Sequence, residues 1–569
     1  MTMKYNIIRK YAKGLTIVAC SFFIFHSSFF ISSCTKQGSS LVEFEEDNTL
    51  DTPNDTVYSL LGIIQKMQEI ADRTLLLGEL RGDLITLTDQ ATLDLQAVAN
   101  FKADTSNPYN RISDYYAVIQ NCNYFLSKAD MKLQKRGVLV FEKEYAVIKA
   151  YRAWTYLQLA LNYGSVPFIT EPLLAEKDAD PSLYPKYDIQ QLADYFIQDL
   201  APYVDTEYPA YGVMSGYPSQ SFYIPVRVLI ADFCLWAGRY REAAQFYHDY
   251  LTKTGNIHPT TTRSVRWEDQ KFEKIQDGYM SSFQSPADDE ILTIIPLEEE
   301  EFNGTVTRLD DVFSSTEDNK YYFQATVSQS YRELSRSQRN VLVVTDPVTQ
   351  ARDTITLPED MVYPSDDFRG DLRLQSVWKT ATLISNSSNY SSLYQEYEKL
   401  GFDYVTIYRT HHVYLRYAEA LNRAGYPEAA FFVLKYGLCN DNMDRYMSAE
   451  ERAAAGELIT FSGYTFTTAN TQGIHSRGSG QANADKTYVI PDLPTKADSI
   501  LYVEDKLLDE MALETAGEGL RFYDLMRIAL RRANPTFLAQ KVATRKGKDY
   551  FDAELYQLLS SPSNWYLPY

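Results

Sequence analysis

Two stretches of this chain share one helix, turn, helix pattern, and a chain that repeats such a unit is confined to stacked helical hairpins. One runs Ala231-Asp232-Phe233-Cys234-Leu235-Trp236-Ala237-Gly238-Arg239-Tyr240-Arg241-Glu242-Ala243-Ala244, inside 226–251. The other runs Tyr417-Ala418-Glu419-Ala420-Leu421-Asn422-Arg423-Ala424-Gly425-Tyr426-Pro427-Glu428-Ala429-Ala430, inside 413–438. In each, small residues let two helices close up, Gly makes the turn, and the Tyr after it wedges into the next pair.

That is the tetratricopeptide repeat pattern, and a weaker copy lies at 146–163. The copies are scattered along the chain, so insertions must interrupt them. Helical spacing of apolar residues also marks 56–77 (Leu60, Ile63, Ile64, Met67, Ile70, Ala71) and 114–129 (Tyr116, Ile119, Cys122, Phe125). The longer stretch 144–163 places Tyr151, Trp154, Leu157 and Leu161 at the same intervals and is closed by Gly164 and Val166-Pro167. Residues 257–402 lack this periodicity. They hold short β-like runs at 290–296, 340–344 and 354–357, with aromatics that include Trp267, Tyr279, Tyr321, Tyr322, Tyr363 and Trp378. A second irregular segment runs from Gly473 to Gly480. The predicted fold class is mainly α: a tetratricopeptide-like helical repeat scaffold with a long irregular insertion containing short β-strands. Its divisions are 1–33, 34–55, a scaffold over 56–256, an insertion over 257–402, and further helical repeats over 403–569.

The N-terminus has its own logic. Lys4, Arg9, Lys10 and Lys13 precede an apolar run from Gly14 to Ile31, which leads into Ile31-Ser32-Ser33-Cys34. That order predicts a lipoprotein signal peptide over 1–33 with acylation of Cys34, followed by a Ser-, Gly- and acid-rich tether over 34–55. A spanning anchor is the alternative, since the run approaches the ~20 residues a span needs; His26 and the five serines from Ser21 to Ser33 argue against it. Removing the four basic residues before Cys34 takes the formal charge from −20 to −24. No basic cluster follows Lys13, which argues against a nucleic-acid partner. Cys122, Cys234 and Cys439 are too sparse for a disulfide framework and are expected to be buried small apolar residues.

Signatures of common enzymes and metal sites are missing: no H-E-x-x-H, C-x-x-C, G-x-S-x-G, EF-hand or Walker sequence occurs. Glycosidase carboxylate pairs are defined in space and leave no spacing to find. His411-His412 is expected to supply surface or capping histidines, since adjacent helical side chains diverge by about 100°. The acidic run 298–301 lacks the alternating oxygen ligands of a Ca²⁺ site. Glu518, Arg521, Asp524 and Arg527, three apart, predict structural salt bridges. No cofactor or metal is expected.

Four stretches together resemble the SusD/RagB family of nutrient-binding outer-membrane lipoproteins of Bacteroidetes. They are Lys149-Ala150-Tyr151-Arg152-Ala153-Trp154 through Tyr163-Gly164-Ser165-Val166-Pro167; Gly238-Arg239-Tyr240; Tyr417-Ala418-Glu419-Ala420 with Asn422; and Asp509-Glu510 followed by Gly517-Glu518-Gly519-Leu520-Arg521-Phe522-Tyr523-Asp524-Leu525-Met526-Arg527. Leu520 and Tyr523 depart from the aromatic pair commoner around Phe522. The resemblance implies a lipid-anchored protein on the outer face of the outer membrane, acting as a lid over a SusC-like TonB-dependent transporter. It implies a ligand that is an oligosaccharide or, alternatively, a peptide, and a binding protein, with a glycoside-cleaving enzyme or a purely structural adaptor as other readings.

A sugar offers C–H groups on one face and hydroxyls around its edge, which suits exposed rings beside fixed polar groups. Trp267, Tyr363 and Trp378 are the expected platform. Arg81 and Asp83, in the Arg81-Gly82-Asp83 turn, are the expected polar partners, chosen because the resemblance places ligand contacts just after the first helix. For each, a role in the core or in a local ion pair is the competing expectation.

Overall fold

In the computed structural model, the described residues are 53–253 except 215, 263–297 except 269, 284 and 286–287, 309–313, 323–357, 363, 366–385, 390–399, 403–462, 466 and 470–569. The lipoprotein signal, Cys34, Tyr321, Tyr322 and the acidic run 298–301 lie outside them. The stretch Leu173–Leu183 falls in a separate small unit and consists of two 3-10 turns, Glu176–Ala179 and Pro181–Leu183. The remainder described here belongs to one unit.

That unit is mostly helical, and most of its main helices pack against a chain neighbour. They are α1 (Pro53–Gln68), α2 (Ile112–Lys128), α3 (Glu142–Tyr163), α4 (Ile189–Leu200), α5 (Val226–Trp236), α6 (Tyr240–Lys253), α7 (Thr410–Arg423), α8 (Pro427–Lys435), α9 (Asn440–Tyr446), α10 (Ala449–Ala455), α11 (Lys496–Thr515), α12 (Arg521–Arg531), α13 (Pro535–Ala543) and α14 (Ala553–Leu559). The hairpin α5/α6 packs on α7, and α7 and α8 both pack on α11. Both predicted repeats therefore form helical hairpins, and Cys122, Cys234 and Cys439 are buried free thiols.

The turns obey backbone sterics. Gly238 (φ 75°) and Gly425 (φ 97°) occupy the left-handed region that a Cβ penalises. At Gly425 a Cβ would meet nothing within 4 Å, so conformation alone selects glycine there. Buried Ala231, Ala243, Ala244, Ala418, Ala420, Ala429 and Ala430 permit the close helix approach. α3 is buried on almost every side, as a central helix must be.

The insertion holds short antiparallel pairs. Strand β1 (Ile85–Leu87) precedes it; within or just after it come β2 (Val265–Trp267), β3 (Ile275–Asp277), β4 (Ile291–Pro296), β5 (Ala325–Val327), β6 (Val341–Thr345), β7 (Arg352–Thr356), β8 (Trp378–Ser385), β9 (Tyr390–Tyr397) and β10 (Tyr404–Arg409). The three β-like runs read from the sequence are β4, β6 and β7. Two pairings stitch the insertion to the scaffold: β1 to β5 with Ile85 opposite Val327, and β4 to β10 with Ile291 opposite Arg409. β10 then runs directly into α7.

Candidate ligand cleft

The five residues expected to contact ligand are interior residues. Trp267 is 3 %, Tyr363 9 % and Trp378 0 % exposed, so none presents a free ring face, and the expected platform is corrected to a core role. Trp267 and Tyr363 do meet, with ring centroids 6.3 Å apart, and Phe272 closes edge-on at 5.9 Å. Trp378 sits in a different cluster, 4.8 Å from Tyr397. The indole N–H groups of both tryptophans lack a hydrogen-bond acceptor among the described residues.

Arg81 and Asp83 are likewise buried, at 1 % and 2 %. Arg81 donates to the carbonyls of Leu77 (2.7 Å) and Trp565 (3.1 Å) and to the Tyr523 hydroxyl (3.3 Å), and its guanidinium lies 4.4 Å from the Phe522 ring centroid. Asp83 accepts two bonds from Arg521, at 2.6 and 3.0 Å. The turn is thus an anchor for α12. Tyr523 takes part through its hydroxyl, which donates to Asn162 at 2.8 Å. Asp83 is held below the ordinary carboxylate range: burial would raise it, and the Arg521 charge more than reverses that.

A larger ion network fills the interior between the C-terminal end of α11, β10 and the 473–480 segment. Glu514 accepts from Arg409 (2.7 Å) and Arg373 (2.8 Å), and Glu518 from Arg409 twice at 2.7 Å and from His412 at 2.5 Å. Arg477 reaches Glu290 at 2.7 Å, and His475 pairs with Glu510 at 2.7 Å. Burial pushes Glu514 and Glu518 upward, but the surrounding guanidinium and ammonium charges hold both well below the usual carboxylate range. Burial brings Lys399 down to about 8 and His412 to about 4, against the pull of Glu518. The histidine pair is therefore corrected from surface to interior: His411 is 0 % and His412 2 % exposed, facing Glu290 and Glu518 respectively. Segment 473–480 is irregular apart from one 3-10 turn, Ile474–Arg477, which is entirely buried. The expected structural salt bridges exist, but their partners are mostly distant: Arg521 with Asp83, and Arg527 with Glu419 as well as Asp524. Among the described residues no group of His, Cys, Asp and Glu is arranged to hold a metal.

Among the described residues, an open cleft of about 750 Å³ is bounded by α8, the corner from α9 to α10, and residues 489–499 at the start of α11. Its walls are locked by reciprocal capping. Glu428, in the first turn of α8, accepts from the backbone N–H (2.7 Å) and hydroxyl (2.9 Å) of Ser448, the N-cap of α10. Glu451, in the first turn of α10, accepts from the Ala429 N–H of α8 at 2.9 Å. Each carboxylate satisfies an orphan donor at the other helix's positive end. Burial, with Glu428 nearby, pushes Glu451 up to about 7.

Aromatic side chains form one side. Tyr436 and Tyr446 stack at 4.7 Å with ring planes 12° apart, and Phe432 packs behind Tyr436 at 5.0 Å. Tyr446 remains 50 % exposed, and Val489 opens to the same cleft. Arg445, Asp492 and Lys496 stand exposed at the rim. Sequence reasoning missed this site. Its available signal is a pair of Lys/Arg-Tyr dipeptides, 435–436 and 445–446, on either side of Gly437.

With fold and cleft in view, comparisons with known proteins are informative. No protein-family model matches the sequence, and no curated protein does. Solved structures match closely in arrangement. A SusD superfamily protein from Bacteroides thetaiotaomicron VPI-5482 aligns with a TM-score of 0.54 at 15 % identity, over 90 % of this chain and 94 % of that one. A SusD superfamily protein from Bacteroides vulgatus ATCC 8482 gives 0.55 at 13 % identity, over 90 % and 92 %. The chain has the SusD-superfamily fold. A SusD-like carbohydrate binding protein from Bacteroides vulgatus ATCC 8482 matches this SusD-like scaffold at 0.52 and 15 % identity, over 84 % of each chain. The helical-repeat architecture expected from the sequence is thus observed.

Proposed function

We propose that this chain is a nutrient-binding surface lipoprotein that captures oligosaccharide and delivers it to a SusC-like TonB-dependent transporter in the outer membrane. The observation that carries the reading is the SusD-superfamily fold over most of the chain, shared with proteins named as carbohydrate binding and putative sugar binding. In this reading the chain binds and releases its ligand without covalent chemistry. The basic, apolar, Ile31-Ser32-Ser33-Cys34 order supports acylation at Cys34. Acyl chains hold a protein at a bilayer without a spanning helix, and among the described residues no helix is long and apolar enough to span.

The test has two arms. Cells expressing the chain are fed an alkynyl fatty acid; the expected result is labelled, surface-exposed protein that loses its label in Cys34→Ala, and unlabelled wild type would refute the anchor. Affinity electrophoresis of the detergent-solubilised chain against neutral polysaccharides and a peptide pool tests the ligand. Retention by a polysaccharide is expected. Retention by peptides alone would reassign the ligand, and new reducing ends on incubation would make the protein an enzyme.

A further inference from the structure

The cleft between α8 and α10 carries its own chemical signature. We propose that it is a carbohydrate subsite in which an uncharged sugar ring packs against the exposed part of Tyr446 while Arg445, Asp492 and Lys496 hold its hydroxyls. The inference rests on the carbohydrate reading above and adds a location and a ligand charge.

The ring comes first. Tyr446 is half exposed, with Tyr436 in a near-parallel stack at 4.7 Å and the Arg445 guanidinium 5.8 Å from its ring centroid. A side chain already fixed by a neighbour loses little freedom when a ligand settles on it. The walls are equally constrained, because Glu428 and Glu451 cap one another's helices. A preformed cleft of about 750 Å³ lies within the range of small-ligand sites, about 300–1,000 Å³.

The rim decides the class of ligand. Arg445 and Lys496 can only donate, while Asp492 and Glu450 can only accept, and a hydroxyl uses both kinds of partner. Arg445, Asp492 and Lys496 enter no ion pair among the described residues; Arg445 and Lys496 lie over the rings of Tyr446 and Tyr426, at 5.8 and 5.9 Å, and their exposed N–H groups keep donors for a ligand. A wholly apolar ligand would strip water from these charges and give nothing back. An anionic ligand would face Glu428, Glu450, Glu451 and Asp492 against Arg445 and Lys496. An uncharged, hydroxyl-rich ligand meets neither penalty.

The test measures binding of the detergent-solubilised full chain to starch, laminarin, arabinoxylan and galactomannan by affinity electrophoresis and calorimetry. For the polysaccharide that binds wild type, Tyr446→Ala is expected to weaken binding by about tenfold or more, and Tyr446→Trp to preserve it. Ala454→Trp, an exposed position on the cleft lining, is expected to block entry while leaving the Tyr446 ring in place. Thermal melting reports folding, and Ala454→Trp decides the matter should Tyr446→Ala unfold. Wild-type affinity in both Tyr446→Ala and Ala454→Trp would overturn the subsite and leave the nutrient-binding reading standing. Wild type that binds none of the four polysaccharides would overturn both.

Discussion

The ion network around Glu514 and the cleft beside Tyr446 draw on the same residue types, Arg, Lys, Glu and Tyr, and put them to opposite uses. In the network every charge faces another charge: Arg409 bridges Glu514 and Glu518, Arg373 spans Asp371, Glu510 and Glu514, and Tyr279 donates to the Glu514 carbonyl at 2.9 Å. These charges are buried and turned toward one another. At the cleft, Arg445, Asp492 and Lys496 are exposed, and Tyr446 keeps half its surface open beside Tyr436 and Arg445. Charge and aromatic content therefore indicate binding only where partners are lacking, and that is a property of the fold.

The sharpest way to test this contrast is to remove a charge from each side. Arg409→Ala removes the guanidinium that Glu514 and Glu518 share in the interior and is expected to cost about 3 kcal/mol of stability, read from denaturant unfolding. Trp378→Ala, at a position expected from sequence to bind ligand, is expected to cost about 3–5 kcal/mol through the cavity it leaves. A stable Trp378→Ala protein with impaired glycan binding would restore the ring to the binding surface and break the comparison. By contrast Arg445→Ala, at the rim, is expected to change stability by less than about 0.5 kcal/mol in the same measurement.

Titration sharpens the comparison further. Glu451 has a folded value near 7 against an ordinary 4.5, so the native chain binds more protons than the unfolded one between those values. Its contribution to stability is therefore complete below pH 4.5 and is lost as pH rises toward 7. Glu451→Gln stays neutral. Its melting temperature relative to wild type is expected to be higher at pH 8 than at pH 5, and a gap independent of pH would show that the Glu451 carboxyl titrates normally. Tyr446→Ala gives up its stack on Tyr436 and is expected to cost about 1 kcal/mol, checked by the same melts.

What was legible in the sequence was local. The Ala, Gly and Tyr spacing at 231–244 and 417–430 prescribes close helices and a left-handed turn, all within one hairpin, and those hairpins are present. The β-like runs at β4, β6 and β7 were equally short-range. Burial of the candidate residues was not legible, because it depends on distant partners: Asp83 meets Arg521, Arg81 meets Trp565, and Trp267 meets Tyr363. The cleft was hidden for another reason. Forty-five tyrosines offer too many candidate rings, and only the stack of Tyr436 on Tyr446 singles one out.

The crossed caps of α8 and α10 carry a mechanical consequence. Since Glu428 holds the start of α10 and Glu451 the start of α8, neither wall can pull away without releasing the amide of its neighbour. Widening becomes a single cooperative event, so Ala429 and Ser448 should exchange their amide protons for deuterium in step. A gap fastened at both edges keeps one width, and guests are sorted by whether they fit it.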